Sequence, residues 1–447
     1  MIHQVRVQLL NDKAPQPGRF VAYWMQASQR AECNHALEYA IRAANARREP
    51  IVAFFVLTDR YPEANLRSYT FMVEGLHGTQ AALERRGIEL VVLRGSPQEL
   101  VVEVANDASV LVTDCGYTRI QKHWREIVAA QVRCQVIQVE SDVVVPVEAA
   151  SGKEEYAART IRPKIAKLLP RYMVPLEEGR PIRDSLGLLQ GAPDLQDVHG
   201  ILAGLHLSRE VLPSARFQGG TAEARRLLDD FIANKLTRYE QLRGDPSLDW
   251  VSHMSPYLHF GQISPIQIAL EVKRAGKAGG EAYLEELVVR RELSINFVNY
   301  SPSHGTFDCL PDWARATLER HQGDRRETLY STEELERALT HDPYWNAAQR
   351  QMVTTGKMHN TMRMYWGKKI LEWSATPRGA YHAVLYLNNK YELDGRDPSS
   401  FAGVAWCFGK HDRPWKERPI FGTVRYMNAA GLERKYEMEP YVREYGG

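Results

Sequence analysis

Long apolar runs are missing from this 447-residue chain. No stretch of about 18 uncharged, apolar residues occurs, so no membrane span is expected. The first fifteen residues, MIHQVRVQLLNDKAP, carry charges throughout and lack an apolar core ending in a small-residue cleavage site. They do not read as a secretory signal, and the chain is expected to stay inside the cell. Cysteine is scarce: Cys33, Cys115, Cys134, Cys309 and Cys407 are odd in number, widely scattered and never spaced as C-x-x-C. That argues against a disulfide framework, a zinc site and a thiolate-bound iron–sulfur cluster. No G-x-G-x-x-G is present, so phosphate-loop chemistry gives dinucleotide binding no support. Net charge is also small, +2, so any contact with nucleic acid must come from a local patch.

What is present is an ordinary globular composition, 44% hydrophobic and 25% charged, long enough for two domains. Residues 1–145 alternate β-branched runs (20–25, 51–57, 88–93, 110–113 and 136–140) with helical patterns at 33–46 and 66–85. This predicts an α/β domain with a parallel sheet. Ser96-Pro97-Gln98-Glu99 is expected to open a further helix, with Ser96 as N-cap and Pro97 at the first helical position. Across 146–220 the pattern is broken by Pro146, Pro163, Pro170, Pro175, Pro181, Pro193 and Pro213, which reads as an inter-domain connector. From 221 to 447 the signal is helical, beginning with an apolar stripe of Leu227, Leu228, Phe231 and Ile232. There is no internal repeat and no low-complexity tract.

The stretch from Thr340 to Trp373 places Trp345, Trp366 and Trp373 in two adjacent helical segments. Trp366 and Trp373 are seven apart, on nearly one helix face and about 10 Å apart along the axis. Indoles so spaced can pass an electron, and they are equally the kind of side chain that fills a core. In Trp250-Val251-Ser252-His253-Met254-Ser255-Pro256 two hydroxyls precede a helical pattern, a place for a phosphate or for a simple helix cap. Glu286 and Arg290 stand at i, i+4, the spacing of a solvated helix pair. Asn388 and Asn389 read as a turn or helix end. After Trp406 come Lys410, Arg413, Lys416, Arg418 and Arg425, interleaved with Trp415, Phe421 and Tyr426. Basic residues among aromatics suit a DNA backbone and a stacked base, although Asp412 and Glu417 dilute the charge.

The segments DPYWNAAQRQMVTTGKMHNTMRMYWGKKILEW, YLNNKYELDGRDP and WCFGKHDRPWKERPIFGTVRYMN together resemble the class II cyclobutane pyrimidine dimer photolyases. WVSHMSPYLHFGQISP, LEELVVRREL and EAASGKEEYAARTIRPKI add to the likeness, which spans about Phe20 to Tyr426. The resemblance implies an antenna-type α/β domain and an all-α C-terminal domain that holds FAD. It also implies light-driven repair of pyrimidine dimers flipped out of double-stranded DNA by a monomeric, cytoplasmic protein, nucleoid-associated in a prokaryote. A second chromophore, a deazaflavin, a folate or another flavin, is the antenna that such a domain would carry. The alternative on the same fold is a cryptochrome-type blue-light sensor. Glu286, Trp406 and the short stretch after Tyr426 favour repair.

Residue by residue, the resemblance assigns Tyr239 and Val251, Ser252, His253, Met254 and Ser255 to the FAD diphosphate. It assigns Asn388 to flavin N5, Asp394 to the isoalloxazine or ribityl side and Arg363 to the face of the ring. Glu286 would hydrogen-bond the dimer, with Met364 bordering its pocket, Trp406 stacking on the lesion, and Arg243 and Arg413 contacting DNA. Arg291 and Glu292 would lie on the active-site helix. Trp366, Trp345 and Trp373, proximal to distal, match the class II electron route. Lys357 and Glu392 occupy positions where photolyases of the other major class use tryptophan. Two departures stand out: Arg290 replaces a tryptophan that walls the dimer pocket in some relatives, and Asn360 replaces a glycine common in class II.

Overall fold

The computed structural model describes residues 2–189 and 195–446; Pro193 of the expected connector lies outside them. The β-branched runs form β2 (Phe20–Trp24), β3 (Ile51–Leu57), β4 (Glu89–Arg94), β5 (Ala108–Asp114) and β6 (Gln135–Val139). A further strand, β1 (Val7–Leu9), was not expected from the sequence. The sheet runs β1-β6-β5-β2-β3-β4, parallel throughout except for β1, which pairs antiparallel with β6. Strands β2, β3 and β5 are buried along their whole length. Helices cover both faces of a parallel sheet, so its central strands read as unbroken apolar runs.

Four helices connect the strands: α1 (His35–Arg47), α2 (Leu66–Glu84), α3 (Pro97–Ala105) and α4 (Arg119–Gln131). Helix α1 begins at Asn34, whose side chain accepts from the Leu37 amide. Ser96 does stand at the N-cap of α3, but its hydroxyl makes no capping bond. That start rests instead on the pre-set φ of Pro97.

After residue 145 the chain is helical. The helix Ala158–Tyr172 buries Ala158, Ile161, Ile165 and Tyr172 in a core of the helical half. Leu195, Ile201, Leu202 and Leu205 pack instead on one face of the sheet. The proline-rich stretch thus divides its apolar residues between the two halves. Leu228 and Phe231 are buried and Leu227 and Ile232 partly so, as the stripe predicts. A second helical core surrounds Trp345, Trp366 and Trp373.

The two halves meet through close backbone contacts. Gly261 has φ +64°, and a Cβ there would sit 2.0 Å from the Ala27 carbonyl oxygen; only glycine allows this approach. Arg30 pairs with Asp142 at 2.7 Å and donates to the Gly261 carbonyl at 2.8 Å, all three buried together at the junction. Arg67 of α2 reaches across to the carbonyls of Met352 (3.2 Å), Val353 (2.6 Å) and Tyr391 (2.9 Å). Glu292 accepts from the backbone N–H groups of Val144 and Val145, and Arg291 donates to the Asp142 carbonyl at 2.7 Å. Expected as active-site helix residues, Arg291 and Glu292 share that helix but are used to join the halves.

Burial pushes the Glu292 carboxyl up to about 8 from its ordinary 4.5, against the pull of the two amides and Arg291. A raised folded-state value means that the stability it contributes is complete below 4.5 and is lost as pH climbs through about 8. Urea unfolding midpoints should therefore fall across that window, and Glu292→Gln should flatten the fall. Glu292→Ala, which strands two buried donors, should cost about 1–3 kcal/mol at every pH.

Candidate functional site

The tryptophans sit on two helices whose starts are written in the sequence. Pro343–Thr355 begins at Asp342, whose carboxylate accepts from the amides of Tyr344 and Trp345 at 3.0 Å each. Asn360–Trp373 begins at His359, whose ring accepts from Thr361 N–H. Trp345 lies between the other two: its ring is 6.3 Å from Trp366, nearly parallel at 11°, and 5.7 Å from Trp373 at 68°. All three are buried. The Trp345 indole N–H donates to the Trp366 carbonyl at 3.0 Å and that of Trp366 to Gln349 at 2.8 Å, so both rings are fixed. Gly367 brings this helix against Pro398–Cys407; a Cβ there would meet Cys407 Sγ at 2.6 Å.

Three residues before Trp366, Arg363 enters a buried charge cluster. It pairs with Glu392 at 2.9 Å and Asp394 at 3.0 Å, and Lys357 lies 3.8 Å from Asp394. Burial pushes Glu392 up to about 7 despite Arg363. Burial also opposes ionisation of Asp394, but Arg363 and Lys357 outweigh it and hold that carboxyl well below the usual range. The difference follows from geometry: Asp394 has both cations within 4 Å, whereas Glu392 pairs closely with Arg363 alone and is repelled by Asp394. Asn388, near the end of the helix Pro377–Tyr391, is buried beside this cluster's chain segment. Its Nδ2 donates to Ser400 Oγ (2.6 Å) and Asn389 Oδ1 (3.1 Å), so what it can offer a ligand is an acceptor oxygen.

Lys357 joins this cluster to the 250–255 segment by donating to the Ser255 hydroxyl. The helix expected after that segment is short, Ser255–His259, and its N-cap position is Met254, without a side-chain cap. Neither serine stands at the N-cap: Ser252 Oγ accepts from the Met254 amide at 3.4 Å, and Ser255 is the first residue of the helix. Ser252 accepts from Tyr283 at 3.0 Å, and Tyr283 packs edge-on against Tyr239 at 5.3 Å. His253 adopts the left-handed region at φ +58° and pairs with Asp249 at 2.6 Å. A small cavity is lined by Val251, His253, Lys357 and His359, among others. Two residues of its lining carry a buried ring nitrogen without a protein partner: His253 Nδ1 and His359 Nε2. A lysine, two serine hydroxyls and two imidazoles suit a diphosphate, and Arg363 with Asn388 suits a planar heterocycle rich in hydrogen-bonding atoms.

Glu286 and Arg290 do not form their expected i, i+4 pair. The chain from Glu285 to Arg290 is a π-turn, in which the Arg291 amide bonds back to the Glu286 carbonyl five residues earlier. This widened turn re-registers the side chains. Arg290 meets Glu285 at 3.1 Å, and Glu286 meets Arg243 at 2.9 Å. The Arg290 guanidinium lies over the Trp406 ring, 5.8 Å from its centroid. Met364 Sδ is 4.0 Å from Cys407 Sγ, next along the chain from Trp406. Glu286, Arg290, Arg243, Met364 and Trp406, distant in sequence, are thus linked through few contacts.

Beyond Trp406 the surface is cationic and aromatic. Trp415, 42% exposed, has the Arg413 guanidinium at 5.3 Å and that of Arg425 at 5.2 Å from its ring. Arg418 lies over Tyr426 at 5.0 Å. The diluting acids are partly consumed: Glu417 pairs with His321 at 2.9 Å, and Asp412 accepts from Trp415 Nε1 at 3.3 Å. Lys410 does not belong to this surface; it is buried on Glu154 and the Cys309 carbonyl.

A cleft between the halves escaped the sequence reading. It is lined by Trp24, Phe55, Tyr61, Trp124, Phe260 and Arg396, among others. It opens at the ends of β2 and β3, beside the β5–β2 point where strand order reverses, the usual ligand position in such sheets. Arg396, in the left-handed region at φ +68°, is buried and its Nη2 has no protein partner. No local motif marks these positions, because the cleft is assembled from both halves.

Over its whole length the chain is 52% identical to the deoxyribodipyrimidine photo-lyase of Methanothermobacter thermautotrophicus, an alignment covering 100% of this chain and 99% of that one. The chain belongs to the DNA photolyase family. The proteins of the same name from Arabidopsis thaliana and Potorous tridactylus are each 38% identical over 94% of this chain, covering 88% and 80% of their own lengths. Residues 21–181 match the family described as DNA photolyase. The fold is shared with a bacterial class III photolyase from Agrobacterium tumefaciens (TM-score 0.75, 18% identity, 97% of this chain and 87% of that one). It is shared too with an archaeal photolyase from Sulfolobus tokodaii solved with two FAD molecules (TM-score 0.72, 17% identity, 95% and 90%).

The charge cluster makes a prediction for this photolyase-family chain. Asp394→Ala leaves Arg363 and Lys357 underpaired and should cost about 3–5 kcal/mol in denaturant unfolding. Combining Asp394→Asn with Lys357→Gln removes one charge of each sign and should recover most of that loss.

Proposed function

We propose that this protein is a class II deoxyribodipyrimidine photo-lyase: a monomeric, cytoplasmic enzyme that uses FAD and blue light to reverse cyclobutane pyrimidine dimers in double-stranded DNA. The observation that carries the reading is 52% identity over the full chain to a protein of that name. Reduced FAD, when bound and excited, supplies the electron that opens the cyclobutane ring. The chain's own residues bind, orient and exclude water.

In this reading Tyr239 and residues Val251 to Ser255, with Lys357, hold the diphosphate. Arg363 faces the ring system as a fixed cation, kept charged by Asp394 and Glu392, and favours a ring that carries negative charge. Asn388 offers its oxygen to N5–H without adding charge. On the DNA side Glu286 would hydrogen-bond the flipped dimer, with Met364 bordering it and Trp406 stacking on it. Arg243 and Arg413 contact the DNA backbone, where the exposed Arg413–Trp415–Arg425 stack adds charge and stacking area. Trp373, Trp345 and Trp366, in that order, relay electrons inward. The cleft at Arg396 takes a second, planar chromophore with an acceptor group facing that guanidinium.

Illuminating the reduced protein with dimer-containing duplex should restore monomeric thymines; no restored thymine under light would overturn the proposal. Trp406→Ala should weaken binding to the damaged duplex by about 1–3 kcal/mol while leaving intact-duplex binding nearly unchanged. Trp366→Phe should block light-driven reduction of oxidised FAD by an external thiol, since phenylalanine is far harder to oxidise than indole. The same variant, reduced chemically beforehand, should still repair. Photoreduction at the wild-type rate would mean that electrons travel by another path.

A further inference from the structure

Around the π-turn five charged side chains meet. Glu285 is held in a two-pronged pair by Arg162, at 3.0 and 2.6 Å, and is touched by Arg290 through Nε at 3.1 Å. Glu286 is matched by Arg243 at 2.9 Å. Three cations therefore stand against two carboxylates, and the group carries a net positive charge. Arg162 takes both oxygens of Glu285 and Arg243 takes Glu286, so the surplus charge falls to Arg290. Its guanidinium is the one that lies over Trp406, 5.8 Å from the ring centroid, with the side chain half-buried.

We infer that Arg290 is a catalytic residue: it forms one wall of the lesion pocket beside Trp406, and its positive charge stabilises the dimer while the dimer carries the extra electron. The inference rests on the pocket at Glu286 and Trp406 proposed above. In the step concerned the dimer gains one electron, the two carbon–carbon bonds that close the cyclobutane ring break, and the electron leaves again. No proton moves and nothing is oxidised or reduced overall. A neutral substrate becomes an anion for the duration of bond breaking, so a fixed cation beside it favours the reacting state over the bound one. Glu286, neutralised by Arg243, can hydrogen-bond the lesion without opposing that charge. A planar guanidinium also suits the role sterically, because it can lie flat against a pyrimidine ring as it does against an indole.

Three variants separate charge from shape: Arg290→Gln, Arg290→Lys and Arg290→Trp. For each, affinity for dimer-containing and intact duplexes is measured at two salt concentrations, and repair yield per absorbed photon is measured with all protein bound to lesion. Flavin content and melting temperature establish that the variants fold. Arg290→Gln and Arg290→Trp should lose yield by about twofold or more at saturation, because both lack the charge. Arg290→Lys should keep most of the yield while binding the lesion less tightly. Arg290→Trp should retain discrimination of damaged from intact duplex. If Arg290→Gln repairs with the wild-type yield once saturated, or if Arg290→Lys loses as much yield as Arg290→Gln, the electrostatic role is overturned and Arg290 is at most a DNA-backbone contact. Failure of the wild type itself to distinguish damaged from intact duplex would instead sink the pocket on which the inference rests.

Discussion

Two buried carboxylates, Glu392 and Asp394, are held by two partly buried cations, Lys357 and Arg363, and the acids can be there only because the cations are. An ion taken out of water alone costs several kcal/mol, so a cluster that sums to zero must be complete to persist. Its members come from three places in the chain: the loop before the tryptophan helix, that helix itself, and the turn after the helix bearing Asn388. Lys357 extends the tie to Ser255. The proposed cofactor-binding residues have no other single feature in common. Once the cluster closes, the first indole of the tryptophan group, the Asn388 amide and the serine segment are set relative to one another.

The π-turn at Glu285–Arg290 does for the proposed DNA side what the charge cluster does for the proposed flavin side. An ordinary helix would have paired Glu286 with Arg290 and neutralised both. One residue of extra girth directs them to different partners, Arg243 and the Trp406 ring. An acid paired with Arg243 and a cation that shares Glu285 with Arg162 thereby come from a single turn of the chain. Such widened turns cost helix stability and are frequent where function requires them.

Much of this was readable beforehand, for identifiable reasons. The buried runs at 51–57 and 108–114 announce strands because parallel sheets are covered on both faces, whereas β1, three residues at an antiparallel edge, carries no periodic signal. The Trp366–Trp373 spacing marks its helix through the helical period. The π-turn was invisible because backbone registry is not encoded in charge spacing, and the i, i+4 reading of Glu286 and Arg290 failed for that reason. Glu392 and Lys357 show in the sequence only as positions lacking tryptophan; that they complete a charge cluster depends on contacts spanning 29 and 37 residues of chain. The Arg396 cleft needed both halves folded together.

Arg67 carries a consequence for how such a protein can be taken apart. Its guanidinium, rooted in α2 of the sheet domain, supplies hydrogen bonds to the last carbonyls of two helices in the other half, the one bearing Trp345 and the one bearing Asn388. Helix C-termini end in carbonyls with no partner of their own, and a cation placed on them satisfies both their bonds and their dipole. The sheet domain and the helical half are therefore not interchangeable modules. A chimaera that swaps the first domain for another parallel sheet would leave those two helices frayed at the ends nearest the proposed cofactor, unless the incoming domain brought an arginine to the same spot.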